Sequence, residues 1–151
     1  MLEIGAPNVE FIVNRYRINW SAFSMVEATI ASLKYITAVE KYDFLNLLSG
    51  EDYPIKSSFE FHSFLNNHRG QSFMEFQKSG DLWWEEAQIR FKRFYLNDFT
   101  WKGRYFVEKV VNKLAGPRRP PKDLAIVGKS QWFTLAVPHL LYVLENEKEL
   151  Y

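Results

Sequence analysis

Two stretches of the chain place carboxylates where chemistry on hydroxyl groups needs them. In Ser49-Gly-Glu-Asp-Tyr-Pro-Ile-Lys56, Gly50 permits a tight turn, two acids follow, Pro54 stiffens the exit and Lys56 precedes a helix start. Such a loop holds Asp52 as a fixed acceptor for a sugar or nucleobase edge. Its plainer reading is a turn whose acid caps backbone amides. In Phe73-Met-Glu-Phe76, Glu75 interrupts an apolar strand near its C-terminal end, either as the exposed face of an edge strand or as a ligand for hydroxyls. Trp83-Trp84 and Trp132 have rings that can stack on sugar C–H faces, although core packing is the commoner fate of tryptophan. Arg90, Lys92 and Arg93 form a basic run beside Phe91, Phe94 and Tyr95, and most such runs are a solvated face.

Other chemistries find little support. His62, His68 and His139 have no metal-ligand spacing. The chain has no Gly-x-Gly-x-x-Gly, no Walker loop and no Gly-x-Ser-x-Gly, which removes the usual dinucleotide, P-loop and esterase signals. It has no Asp-x-Asp either, so no paired carboxylate stands ready to hold a divalent ion on a diphosphate.

Positioning these groups falls to elements that the pattern predicts in an alternating order. Asn8-Val-Glu-Phe-Ile-Val13 has period-2, β-branched character and reads as a strand. Ser24-Met-Val-Glu27 has capping-box spacing and opens a helix carrying Val26, Ile30 and Leu33 to about Val39. Phe44-Leu-Asn-Leu-Leu48 reads as a buried strand, and a second box, Ser57-Ser-Phe-Glu60, opens a helix ending near Asn66-Asn67. Gln71 to Phe76 is a third strand. This order predicts an α/β layout with a mainly parallel sheet. Further on, residues 83–95 and 105–114 read as helices, the latter stopped by Gly116. Pro117-Arg-Arg-Pro-Pro-Lys122 reads as a rigid connection. Leu124 to Val127 and Gln131 to Leu135 read as two strands, and Pro138 to Leu144 as a last helix with proline in its first turn.

The 151 residues amount to a single domain, 47% hydrophobic and 25% charged, with 19 Lys and Arg against 18 Asp and Glu. A net charge of +1 argues against a polyanion binder held by global charge, and Arg118, Arg119 and Lys122 offer too few phosphate contacts for nucleic acid. No apolar run approaches the ~20 residues of a membrane span. The absence of cysteine excludes a disulfide scaffold and favours a reducing compartment. The aromatic share of 17% is high enough to supply platforms for a flat or sugar-like ligand as well as a core.

In their order along the chain, four blocks resemble the core-2/I-branching β-1,6-N-acetylglucosaminyltransferase family, which includes peptide O-xylosyltransferases. Asn8 to Arg15, followed by Trp20-Ser-Ala-Phe-Ser-Met-Val-Glu-Ala28, is similar to the family's strand and Trp-x-x-x-Ser-x-Val helix start. Tyr42-Asp-Phe-Leu-Asn-Leu-Leu-Ser-Gly-Glu-Asp-Tyr-Pro-Ile-Lys56 is similar to its most specific signature. Ser72-Phe-Met-Glu75 and Arg90-Phe-Lys-Arg-Phe-Tyr95 resemble its acceptor-side segment. Gly128-Lys-Ser-Gln-Trp-Phe-Thr134 with Tyr142-Val-Leu144 resembles its Gly-Ser-x-Trp-Phe strand and following helix.

The resemblance implies a GT-A-like, Rossmann-type domain, present here over residues 1–151 as a single partial domain incomplete at both ends. Relatives add a strand–helix–strand unit before it. They also add a Pro-Asp-Glu segment after it, whose Glu is the catalytic base, so the base is expected beyond Tyr151. The implied reaction is a metal-independent, inverting transfer of N-acetylglucosamine or a related sugar from a nucleotide-sugar to a glycan hydroxyl, with no cofactor. By the same resemblance Glu75 bonds acceptor hydroxyls, Arg90 is a basic acceptor contact and Trp132 is an aromatic residue beside the acceptor. Trp20 and Asp52 line the donor or acceptor site, and no residue of the chain is assigned as catalytic. The family lysine three residues before the arginine is replaced by Ala87. The alternative is a non-catalytic carbohydrate-binding fragment or truncated gene product. Expected partners are the nucleotide-sugar and the glycan, with peripheral membrane association and no nucleic acid. The expected location is cytoplasmic, at the inner face of a bacterial membrane in surface-polysaccharide synthesis; a Golgi-type placement would require an anchor not in this sequence.

Overall fold

A computed structural model describes residues 9–39, 41–78, 80–81, 83–119 and 125–150. Helices α1 (Phe23–Val39), α2 (Ser58–Asn67), α3 (Trp83–Phe91), α4 (Arg104–Leu114) and α5 (Val137–Glu145) accompany strands β1 (Phe44–Asn46), β2 (Phe73–Lys78) and β3 (Val127–Ala136). A 3-10 turn, Glu147–Leu150, follows α5. Tyr151, the residue beyond which the catalytic base is expected, lies outside the described residues. The sheet order is β1-β3-β2, with the last strand in sequence at the centre.

Both ladders are antiparallel. Phe44, Leu45 and Asn46 face Ala136, Leu135 and Thr134. Phe73 and Met74 face Thr134 and Phe133, and Phe76, Gln77 and Lys78 face Lys129, Gly128 and Val127. The mainly parallel sheet expected from the element order, Rossmann-type by the resemblance, is therefore not formed by the described residues. From α1 to β2 the expected alternation of helices and strands is present, but β3 inserts between β1 and β2 and runs against both. The expected strand over residues 8–13 is not formed either. Asn8 lies outside the described residues, and residues 9–13 join no ladder. A strand exists through its neighbour's hydrogen bonds, and here the alternating side chains are uncovered, Val13 being 89% exposed.

Local signals succeed where the cap is local. At α2 the Ser57 Oγ accepts the Glu60 amide at 3.2 Å and the Glu60 carboxylate accepts the Ser57 amide at 3.1 Å, the reciprocal bonds of a capping box. At α1 the expected Ser24–Glu27 box is absent, because the helix starts at Phe23 and Ser24 is already inside it. Its N-terminal amides are satisfied from afar: Asp98 Oδ2 accepts Phe23 N at 3.1 Å and Ser24 N at 3.4 Å. Of the predicted strand over 124–127 only Val127 joins a ladder: it opens β3, which continues through the predicted strand over 131–135 with an interruption of register. Residues 125 and 126 are not strand, and Leu124 and residues 120–122 of the proline-rich connection lie outside the described residues.

The buried apolar side chains are few: Ile30 and Leu33 of α1, Leu65 of α2, Ala136 at the end of β3 and Leu140 of α5. Ser72 ties this centre together, its Oγ accepting Ala136 N at 3.0 Å while paired with His139 Nδ1 at 2.7 Å. The accessible surface is 12951 Å² for 17.9 kDa. A compact chain of that mass exposes roughly 8,000 Å². Much of this chain's apolar surface is therefore open, Ile55 and Phe59 among it.

Candidate functional site

The register shift in β3 builds the first half of the site. Between the pairs Met74–Phe133 and Phe76–Lys129, Glu75 alone stands opposite Ser130, Gln131 and Trp132. The surplus residues bulge out of the ladder, a device that re-aims side chains beside functional sites. Lys129, at φ 147°, takes the strain of this turn in the strand. Ser130 Oγ accepts Trp132 N at 3.1 Å and fixes the bulge from inside. Lys129 Nζ folds back onto Glu75 Oε1 as an ion pair. Glu75 and Trp132 then line one cavity of about 580 Å³ with Asn46, Ser72 and Thr134. Thr134 Oγ1 donates to Asn46 Oδ1 at 2.8 Å across the sheet. A carboxylate, an indole and an array of hydroxyl and amide groups match what a sugar ring presents. The Glu75–Lys129 pair is solvent-exposed, so it contributes little by itself and can yield Glu75 to a ligand hydroxyl.

The second half is built from loops together with residues of α3 and α4. Trp20, Arg90, Trp101, Lys102, Arg104 and Tyr105 line a larger cavity of about 990 Å³. Its walls are stapled by side chains from distant sequence. Asn97 Nδ2 donates to Ser21 O at 3.0 Å, and Asn19 Nδ2 to Asp98 O at 3.4 Å. Arg104 donates to Asn97 O and Phe99 O and lies over the Tyr105 ring, 4.5 Å from its centroid. Asn112 of α4 bonds both Phe94 N and Phe94 O at 2.8 Å, and Glu108 accepts Leu96 N at 3.0 Å. Hydrogen bonds from the hydroxyl of Ser24, and then from backbone and Asn19 donors, hold the Asp98 carboxyl below its usual range against the opposing effect of desolvation. On this scaffold Ser21 is left-handed at φ 59°, and Trp20 beside it is 88% exposed.

The sequence-derived residues therefore divide. Glu75 and Trp132 share one cavity; Trp20 and Arg90 share the other. Arg90 also lines a smaller cavity of about 250 Å³ with Lys129, the partner of Glu75, so the two halves are joined through these two cations. Asp52 lines neither main cavity. Its Oδ2 accepts Ser49 N at 2.6 Å, and its own amide donates to Ser49 O at 3.3 Å, so the turn-capping reading describes it. Lys56 pairs with Glu60 at 3.7 Å. Trp83 and Trp84 are packing residues. They cluster with Phe91 at ring separations of 5.7–6.0 Å, and Trp83 Nε1 donates to Gly128 O at 2.8 Å.

Sequence reasoning missed Lys129, Trp101, Lys102 and Tyr105. The glycine inside the β3 pattern was the one available signal for Lys129, since an isolated glycine in a strand marks a bulge as readily as a break. Among the described residues no cluster of three His, Cys, Asp or Glu side chains could hold a metal ion.

Residues 2–151 match the family described as Core-2/I-Branching enzyme. The chain belongs to that family. Core-2/I-branching enzymes are glycosyltransferases, and the blocks around Glu75 and Trp132 that form the smaller cavity lie within the match. The chain is also 25% identical over 150 residues to "Xylosyltransferase oxt" of Drosophila pseudoobscura pseudoobscura, an alignment covering 98% of this chain and 16% of that protein. No solved structure matches. No helix of the described residues is long and apolar enough to cross a membrane.

Proposed function

We propose that this chain supplies the acceptor side of a glycosyltransferase moving N-acetylglucosamine or a related sugar from a nucleotide-sugar to a glycan hydroxyl. The supporting observation is the cavity in which a bulge brings Glu75 and Trp132 together within a core-2/I-branching sequence. Glu75 accepts hydrogen bonds from hydroxyls of the acceptor, Trp132 packs against its C–H face, and Arg90 contacts it from the adjoining cavity. Trp20 lines the site, and Asp52 shapes the signature loop through its turn. The displacement is inverting and metal-independent: a base takes the proton of the attacking hydroxyl while the nucleoside diphosphate leaves. No residue of this sequence is assigned as that base. The fold is GT-A-like, with peripheral membrane association, and the cysteine-free composition favours a cytoplasmic placement.

The test is a nucleotide-sugar screen on this chain and on a form extended at both ends, reading acceptor-dependent release of nucleoside diphosphate. Transfer by the extended form, with Glu75→Gln lowering kcat/KM for the acceptor at least tenfold and leaving donor KM unchanged, is the expected result. Saccharide binding without transfer in either form would instead support a non-catalytic carbohydrate-binding module.

A further inference from the structure

The larger cavity is more than an extension of the Glu75 site, because its chemistry is different. Three cationic side chains, Arg90, Lys102 and Arg104, line it against one carboxylate, Glu108, which already accepts a backbone amide. Arg104 is committed to two carbonyls and the Tyr105 hydroxyl. Among the described residues, Arg90 and Lys102 have no carboxylate within ion-pair distance. The same walls carry four aromatic side chains at the surface, Trp20, Tyr95, Trp101 and Tyr105. Apolar rings of this size are normally withdrawn from water, and Trp20 is instead held out beside a left-handed serine by bonds reaching 76 residues along the chain.

From this juxtaposition, and resting on the glycosyltransferase reading above, we infer that the larger cavity is a subsite for an acidic saccharide. A sugar ring stacks on Trp20 and Trp101 while its carboxylate or sulfate lies between Arg90 and Lys102. Two side-chain point charges flanking rings suit a singly charged sugar. Arg90, which also lines the small cavity beside Lys129, places this charged unit next to the one held by Glu75.

The test is calorimetric titration of the 151-residue chain with methyl glucuronide, glucose 6-sulfate and neutral methyl glucoside, at low and high salt. The glucuronide, the sulfate or both should bind at least tenfold more tightly than the neutral glycoside, and added salt should erode the difference. Which of the two anions prevails identifies the source of the charge. Lys102→Gln and Trp20→Ala should each weaken acidic-sugar binding about tenfold or more. Both side chains are exposed, and circular dichroism checks that the fold survives. Lys148→Gln, which removes a charge outside the cavity, should leave affinity unchanged. Equal binding of charged and neutral glycosides, or unaltered affinity in both cavity variants, would overturn the inference. Binding of uridine diphosphate with no acidic sugar bound would also overturn it and assign the cavity to the donor. Loss of transfer activity with acidic-sugar binding intact would count against the enzyme reading alone.

Discussion

The two cavities differ in chemistry and are built by opposite routes. The smaller is written into a strand: a change of register sets Glu75 against Trp132 and Lys129, and the sheet on either side holds them. The larger is assembled from loops and from residues of α3 and α4, which carry no ladder and are fixed by Asn19, Asn97, Asp98, Arg104 and Asn112 instead. Backbone pairing gives the first site its precision, whereas the second depends on single side chains. Substitutions should therefore damage the two differently.

The largest effect should come where both depend on one residue. A side chain at Gly128 would place Cβ 2.7 Å from Trp83 Cζ2, closer than atoms can approach. Gly128→Val should cost about 1–3 kcal/mol by overpacking and displace the bulge and α3 together. Chemical denaturation reads the first and loss of ligand binding at both cavities the second; an unchanged midpoint would mean the indole simply moves aside. Next, Glu75→Gln should lower acceptor kcat/KM at least tenfold while leaving thermal stability nearly unaltered, since the ion pair it breaks is exposed. A large fall in Tm would make Glu75 a structural residue.

Asp98→Ala should separate the two regions. It strips the α1 amides of their acceptor, so Tm falls and binding at the loop-built cavity weakens, while binding at the Glu75 cavity persists. The pH dependence has a definite sign. The native pKa of Asp98 lies below its ordinary 3.8, so its stabilisation is full above that value and is lost as pH falls through the depressed native pKa. An acid-unfolding curve that is the same in wild type and Asp98→Asn would remove this role. The smallest effect belongs to Ser57→Ala, which should cost ~1 kcal/mol through the α2 cap and change neither site.

What is legible in the sequence follows the reach of each interaction. The Ser57–Glu60 box, the end of α1 at Val39, the proline in the first turn of α5 and the Gly116 stop all involve residues within a few positions, and each is found in the structure. The α1 cap escapes the local pattern because its acceptor lies 74 positions from Ser24. Sheet direction fails for a related reason: alternation of element types says nothing about which strand inserts between two others. Gly128-Lys-Ser130 reads as an interruption and is one, but of register and not of the strand. Glu75 and Trp132 stand out by residue type and line one cavity, whereas Lys129 and the loop residues Trp101 and Lys102 acquire meaning only through tertiary contact. Asp52 shows the opposite limit, where the short-range reading of the turn describes what its side chain does.

The contact between Trp83 and Gly128 has a mechanical consequence. The indole bears on bare backbone at the root of the bulge and is anchored there by its own N–H. Trp83 opens the helix that ends one residue past Arg90, so this ring acts as a rigid spacer that fixes how far apart the two cavities can stand. Exchanging it for a smaller ring would let the charged subsite slide relative to the strand, altering the length of saccharide that fits across both without touching a single group that contacts the ligand.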